Sequence, residues 1–349
     1  MLLFLLSCSG KGDDSQTTPA DDSDTHGPLV DDSGDTGPIP CGIDIEPIRP
    51  VAGDDEAYYR ADIEFLLSEP DPKAVVGLRT DPEQKSKEGD PISGKQWKSV
   101  DQTIVYFTPD EPLELDADYR SEIDWCGGRQ TIPFHTSWIG TPVKAPKDLV
   151  GTVWTIDMAE GRWIEPRAAI NGRLIKYLQS TILVSVDLVT DDWIQIEGAR
   201  AVESGTQDVC AATADFSAAN FTENPYFSAG PKVLTFVVAN TKLVLEDAEI
   251  EGSFTADGSG FEWVEVKGVF DTRPLDVPWK GKDSLGAVCA EASASGSACV
   301  PCASDGKPYC LVLHVDEISA TISGASVRSI AEDCADPECK SAECAKKGA

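Results

Sequence analysis

Basic side chains are scarce in this sequence: 29 Lys and Arg face 60 Asp and Glu, a formal net charge of −31. A surface of that sign repels phosphate backbones and anionic lipid headgroups, which argues against nucleic-acid binding. Long apolar runs are also missing. A membrane-crossing helix takes roughly twenty apolar residues, and the opening run, MLLFLL, is far shorter, with no later segment reaching that length. Histidine is scarcer still: His26 lies in a polar stretch, and His135 and His314 alternate with apolar neighbours as half-exposed strand residues would. No Gly-x-Ser-x-Gly, His-Glu-x-x-His or P-loop pattern occurs. The chain is therefore expected to have no catalytic residues, no metal and no cofactor.

Cysteine, by contrast, is abundant. Beside Cys8 there are ten, an even number: Cys41, Cys126, Cys210, Cys289, Cys299, Cys302, Cys310, Cys334, Cys339 and Cys344. Such a count suits an oxidising compartment, and all ten are disulfide candidates. Cys299-Val300-Pro301-Cys302 also has the spacing of a zinc or thiol-redox pair. A zinc site would want a second such pair or nearby histidines, and a redox pair would want a βαβ context. Neither is present, so staples are expected, with Cys299–Cys302 the least favoured pairing because its loop is so small.

At the N-terminus the run ends in Leu5-Leu6-Ser7-Cys8. This resembles the lipobox of bacterial lipoproteins, although the basic residues of a signal peptide do not precede it. The resemblance implies that residues 1–7 are a signal peptide and that Cys8 is lipidated. The protein would then be held in the bacterial cell envelope, outside the cytoplasm, on the outer membrane. Residues 8–40 are Asp, Ser, Thr, Gly and Pro with almost nothing apolar. They bury too little surface to offset the entropy of ordering, and read as an acidic tether. The DDSGDTG within them lacks EF-hand spacing and its terminal Glu.

From Cys41 to 138 the composition turns apolar in period-two runs such as AYYRADIEFLLS, KAVVGLRT, QTIVYFTP and RQTIPFHTS. Pro, Gly and Asp punctuate them, as in an antiparallel sandwich. IEFLLSEPDPKAVVGLR and VYFTPDEPLELDADYRSEI resemble bacterial Ig-like domains of the S-layer-protein (SbsA-like) type, over about residues 43–137. The matching positions are Ser68, Glu69, Pro70, Thr108, Pro109, Pro112, Leu113 and Tyr119. All are turn or core anchors, and the resemblance implies a spacer or interaction module. Tyr119 is expected to bury its ring and tie down the neighbouring loop with its hydroxyl. Cys41 and Cys126 are placed to close this domain, and 81–96 is read as a loop.

Residues 139–148 form a proline-punctuated linker, 149–333 a second domain and 334–349 a Cys-rich tail. EPRAAINGRLIKYLQS has helical spacing. TILVSVDLVTDDWIQIEGARAV reads as a hairpin, and KVLTFVVANTKLVLEDAEIEGSFTADGSGFEWVEVKGVFDTRPL as three strands. The fold class expected is all-β: an Ig-like sandwich, then an antiparallel curved sheet or barrel-like domain with one or two short helices. The second domain is expected to hold a packed core and to fold on its own. WIEPR and FEWVEV set carboxylates beside aromatics, as a sugar site would, but ordinary strand composition accounts for them. The functional expectation is a lipid-anchored, non-catalytic binding or structural module. Its partners would be the membrane, through the anchor, and an envelope protein or polysaccharide. A carrier of an apolar ligand and an envelope hydrolase with a carboxylate site are the alternatives.

Overall fold

The structure, a computed structural model, describes residues 41–81, 89–99, 101–178, 181–202, 205–209, 211–238, 241–281 and 284–330. Seven strands come first: β1 (Ile45–Arg49), β2 (Ile63–Leu67), β3 (Val75–Thr80), β4 (Gly94–Lys98), β5 (Ile104–Pro109), β6 (Asp118–Trp125) and β7 (Gly128–His135). They make two antiparallel sheets, β1-β2-β5-β4 and β3-β6-β7. Alternation directs the packing. Along β6, Tyr119, Ser121 and Ile123 are buried, while the residues between them are half-exposed. The inner faces bury Ile63, Phe65, Leu67, Val105, Phe107, Ile123 and Phe134 in one cluster, each side chain contributing about 1.5–3 kcal/mol. The Tyr119 hydroxyl accepts the backbone N–H of Glu114 at 2.9 Å, which pins the β5–β6 loop.

The rest of the chain adds β8 (Val153–Asp157), β9 (Arg162–Glu165), α1 (Ala168–Leu178), β10 (Thr181–Val189), β11 (Trp193–Arg200) and β12 (Ala214–Asn220). It continues with β13 (Tyr226–Val238), β14 (Thr241–Phe254), β15 (Gly260–Asp271), α2 (Arg273–Lys280), α3 (Ala287–Ala294) and β16 (Cys310–Ile322). Strands β8 and β10 to β16 pair in chain order, and β16 returns to β8, so eight antiparallel strands close a barrel. Closure leaves the ring without an edge. Strand β9 pairs with the outer stretch of β16 around His314–Asp316. The interior is filled. Trp154, Phe227, Phe254 and Phe261 interlock with centroids 5.0–5.8 Å apart, and Ile170 and Leu174 of α1 join the same core. A packed interior of this kind gives no support to the apolar-carrier alternative.

Among the described residues there are three short α-helices where one or two were expected. The two not foreseen, α2 and α3, form a cap with the Cys289–Cys299 and Cys302–Cys310 disulfides, whose Cα atoms lie 5.5 and 5.0 Å apart. Helix α3 is held by its neighbour: the buried Asp276 carboxylate of α2 accepts the N–H groups of Gly286 at 2.7 Å and Val288 at 3.0 Å. Such a cap comes from ten residues upstream, beyond any local reading of the α3 sequence.

Candidate functional site

From Cys41 onward the described residues belong to one compact unit, although sandwich and barrel keep separate cores. Charge joins them. Arg49, ending β1, reaches Glu64 of β2 at 2.6 Å and Asp316 of β16 at 2.9 Å. Arg162 of β9 completes the square, 2.8 Å from Glu64 and 2.6 Å from Asp316. Both carboxylates are buried, and each meets two guanidinium groups in the planar fork geometry that suits arginine. Burial works against the charge on Arg162, but its hydrogen bonds to Glu64 and Asp316 outweigh it and raise its pKa. Two further links flank this square. Arg60 lies 3.9 Å over the Tyr226 ring and pairs with Glu223, and Arg167 donates to Asp101 at 3.0 Å.

Between these links lies a half-open cleft of about 400 Å³. Its barrel wall is the outer face of β14, β15 and β16. Strand register sets Glu251 opposite Glu265 and Lys267 opposite His314, which brings four titratable side chains together. Lys267 donates to Glu265 at 2.7 Å and lies 3.6 Å from Glu251. His314 binds Glu265, and the Tyr226 hydroxyl donates to Glu251. The two carboxyl groups face each other across the strand pair, with the Lys267 ammonium against both. Burial first, then the neighbouring Glu265 charge, raises Glu251 to a pKa of about 7. Burial would raise Glu265 too, but its hydrogen bonds to His314 and Glu251 and the Lys267 charge hold it far below the usual carboxylate range.

Aromatic rings complete both walls. Trp263 has a φ of 54°, in the left-handed region that bulky residues avoid. It sits where the β15–β16 register slips between Phe261 and Val264. Bulges of this kind re-aim side chains beside functional sites, and here the indole stacks on Tyr58 of the sandwich at 5.1 Å and 5°. The Tyr58 hydroxyl bonds Ser253 of β14 at 2.8 Å. On the sandwich wall Trp97 stacks on Tyr106 at 3.7 Å and 4°. Its Nε1 donates to Thr108 at 3.1 Å. Tyr106 covers one indole face, yet Trp97 is 43% exposed, so the other face is open.

The six cysteines among the described residues do not line this cleft. Cys41 and Cys126 are bonded, Cα atoms 5.5 Å apart, tying the approach to β1 to the β6–β7 turn. Cys8, Cys210, Cys334, Cys339 and Cys344 lie outside the described residues. Among the described residues the one grouping with metal-ligand geometry is Asp271, Cys302 and Cys310. Its two sulfurs are bonded to each other, so it has no thiolates to offer. His135 is held by Asp118 at 2.8 Å and Asp116 at 3.1 Å on the sandwich, whereas His314 belongs to the cleft. The FEWVEV stretch supplies Trp263 and Glu265, and WIEPR supplies Ile164. Glu251, Tyr226, Arg60 and Trp97 were not singled out. A signal for Glu251 existed: a hairpin folded about Asp257-Gly258 sets it against Glu265. No family profile and no curated protein sequence matches the chain.

Proposed function

We propose that this chain is a lipid-anchored bacterial envelope protein, non-catalytic, that binds its ligand in the cleft between sandwich and barrel. The observation that carries the reading is the cleft itself. It is lined from both halves, braced by buried ion pairs, and falls in the size range and the interdomain position usual for ligand sites. Support for the anchor is Leu5-Leu6-Ser7-Cys8 followed by the acidic tether of residues 8–40. Support for an Ig-like domain of the S-layer type is the strand order. The sheets β1-β2-β5-β4 and β3-β6-β7 correspond to strands ABED and CFG of the constant-type immunoglobulin sandwich. Tyr119 near the start of β6, with its hydroxyl on Glu114 N–H, has the geometry of that fold's tyrosine corner. The barrel supplies the rigid second wall.

A hydrolase couple finds less support. Glu251 and Glu265 face each other across one strand pair and Lys267 contacts both, at 3.6 and 2.7 Å, whereas the carboxyl groups of a glycosidase pair stand roughly 5 Å or more apart with the sugar between them. The test of the binding reading uses full-length protein in a bacterial host. It should partition into detergent, and Cys8→Ala should not. Purified, it should retain a component of solubilised envelope, and Trp263→Ala should reduce that retention. Equal partitioning of the Cys8 variant refutes the anchor, and retention indifferent to Trp263 refutes the cleft.

A further inference from the structure

We infer that the ligand of the cleft is an uncharged carbohydrate, recognised by ring stacking and by the Glu251–Glu265 carboxyl pair. This rests on the binding reading above and names its ligand class. The first argument is shape. Two pairs of parallel aromatic rings, Trp97 on Tyr106 and Trp263 on Tyr58, stand at one cleft within 5° of coplanarity inside each pair. Trp97 offers its free face to solvent from the edge strand β4, where a buried core role does not explain an indole. Tyr58 and Tyr106 are buried and Trp263 lies between Tyr58 and Arg49, so the flat surface open to a ligand is the Trp97 indole, and a single flat indole face suits the apolar face of a pyranose ring. Open faces do not converge from several sides, as those of a cage for a quaternary ammonium do.

The second argument is hydrogen bonding. A sugar hydroxyl both donates and accepts, so its site needs donors and acceptors side by side. Glu251 and Glu265 face each other across the strand pair; burial raises the Glu251 pKa to about 7, so below that pH it offers a carboxyl donor beside the Glu265 acceptor, with the Lys267 ammonium 2.7 Å from the latter. Glu251 remains about a third exposed, within reach of a ligand. The third argument is charge. The cleft's cations Arg49, Arg60 and Lys267 are each paired with carboxylates, and the acidic side chains lining it outnumber them in a chain of net charge −31, which repels phosphate, sulfate and uronate groups. Cations fare no better at the carboxyl pair, because Lys267 and His314 already occupy Glu265.

The experiment is calorimetric titration of full-length protein against four probes: a neutral hexose oligomer, an N-acetylglucosamine oligomer, polygalacturonate and phosphorylcholine. Saturable binding to at least one neutral oligomer is expected, with none to the other two probes. Trp97→Ala should weaken it about tenfold or more, as truncation of a central aromatic contact does. Its melting temperature should fall modestly, because the stack on Tyr106 and the bond to Thr108 are lost from an edge strand, so binding is compared well below the melting temperature of both proteins. Glu251→Gln keeps the shape and one donor but changes the charge state, and should weaken binding severalfold. Absence of binding to both neutral oligomers overturns the inference, as does binding that Trp97→Ala leaves intact. Trp97-dependent binding of phosphorylcholine would overturn the carbohydrate assignment while leaving the cleft as the ligand site.

Discussion

Glu251 of β14 stands directly across the strand pair from Glu265 of β15, two acidic side chains facing each other on the outer wall of the barrel. Like charges in that position destabilise a sheet. The fold tolerates them because Lys267 lies against both carboxyls and His314 against Glu265, and burial raises the Glu251 pKa to about 7.

A pH dependence of stability follows. The native state keeps a proton on Glu251 up to about pH 7, while the unfolded chain loses it near the ordinary glutamate value of 4.5. Between those values the native state binds more protons, so this group's contribution to stability declines as pH rises. Glu265 acts oppositely, and its contribution is lost only below the ordinary glutamate value, as pH falls towards its depressed pKa. Water reaches about a third of the Glu251 side chain, so the decline from this group is roughly 1–2 kcal/mol rather than the full linkage value. Urea midpoints at pH 5 and pH 7.5 should differ more for the native sequence than for Glu251→Gln. Equal differences in the two proteins would show that Glu251 does not hold its proton towards neutral pH.

The square of Arg49, Glu64, Arg162 and Asp316 makes a different prediction. Removing a buried member leaves the opposite charges facing each other short of compensation, which costs about 3–5 kcal/mol. Glu64→Ala takes a buried carboxylate from within 2.8 Å of two guanidinium groups and leaves both to share Asp316 and Glu317. Unfolding should require less urea by that amount. The double variant Glu64→Ala with Arg162→Ala should lose less than the sum of the single losses. Additive losses would mean that the four groups act independently.

Much of the fold can be read from the chain. Hairpin β10–β11 and the meander β13-β14-β15 announce themselves by alternation and by turns at Asp191-Asp192 and Asp257-Gly258. The Tyr119 anchor was legible through the resemblance of VYFTPDEPLELDADYRSEI to Ig-like domains. Strand β4 was not: Gly94-Lys95-Gln96-Trp97-Lys98 has no buried face, being an edge strand, and so reads as loop. Helices α2 and α3 were hidden for other reasons. One carries two prolines, and the other is small side chains capped from outside by Asp276. The cleft was the least legible element. Its walls come from segments some two hundred residues apart, and Trp263 enters it through a bulge that alternation cannot foresee.

Tyr119→Phe tests the pinned loop. The ring and its packing against Phe134 at 5.8 Å are kept, while the Glu114 N–H loses its acceptor. A cost of about 1–2 kcal/mol is expected from one lost hydrogen bond at a partly buried donor. Amide exchange at Glu114 should accelerate more than exchange in β6. An unchanged Glu114 rate would mean that the hydroxyl does not hold the loop.

The disulfides are expected to matter in proportion to the loops they close. Cys41–Cys126 spans 85 residues, Cys289–Cys299 spans 10 and Cys302–Cys310 spans 8. On the chain-entropy account, losing the first costs about 4–5 kcal/mol and losing either of the others about 2–3. Paired Cys→Ala substitutions should rank in that order by urea denaturation. The two small loops test the stapled cap as well. Their removal loosens the segment that carries α3, so proteolysis between Ala287 and Cys310 should quicken in those variants and not in the Cys41/Cys126 variant. Reductant should lower the melting temperature of the unmodified protein while a chelator leaves it in place, because Cys302 and Cys310 are bonded to each other and cannot ligate a metal. A melting temperature that falls with chelator alone, or one zinc per chain by elemental analysis, would replace the staple with a metal site built around Asp271, Cys302 and Cys310.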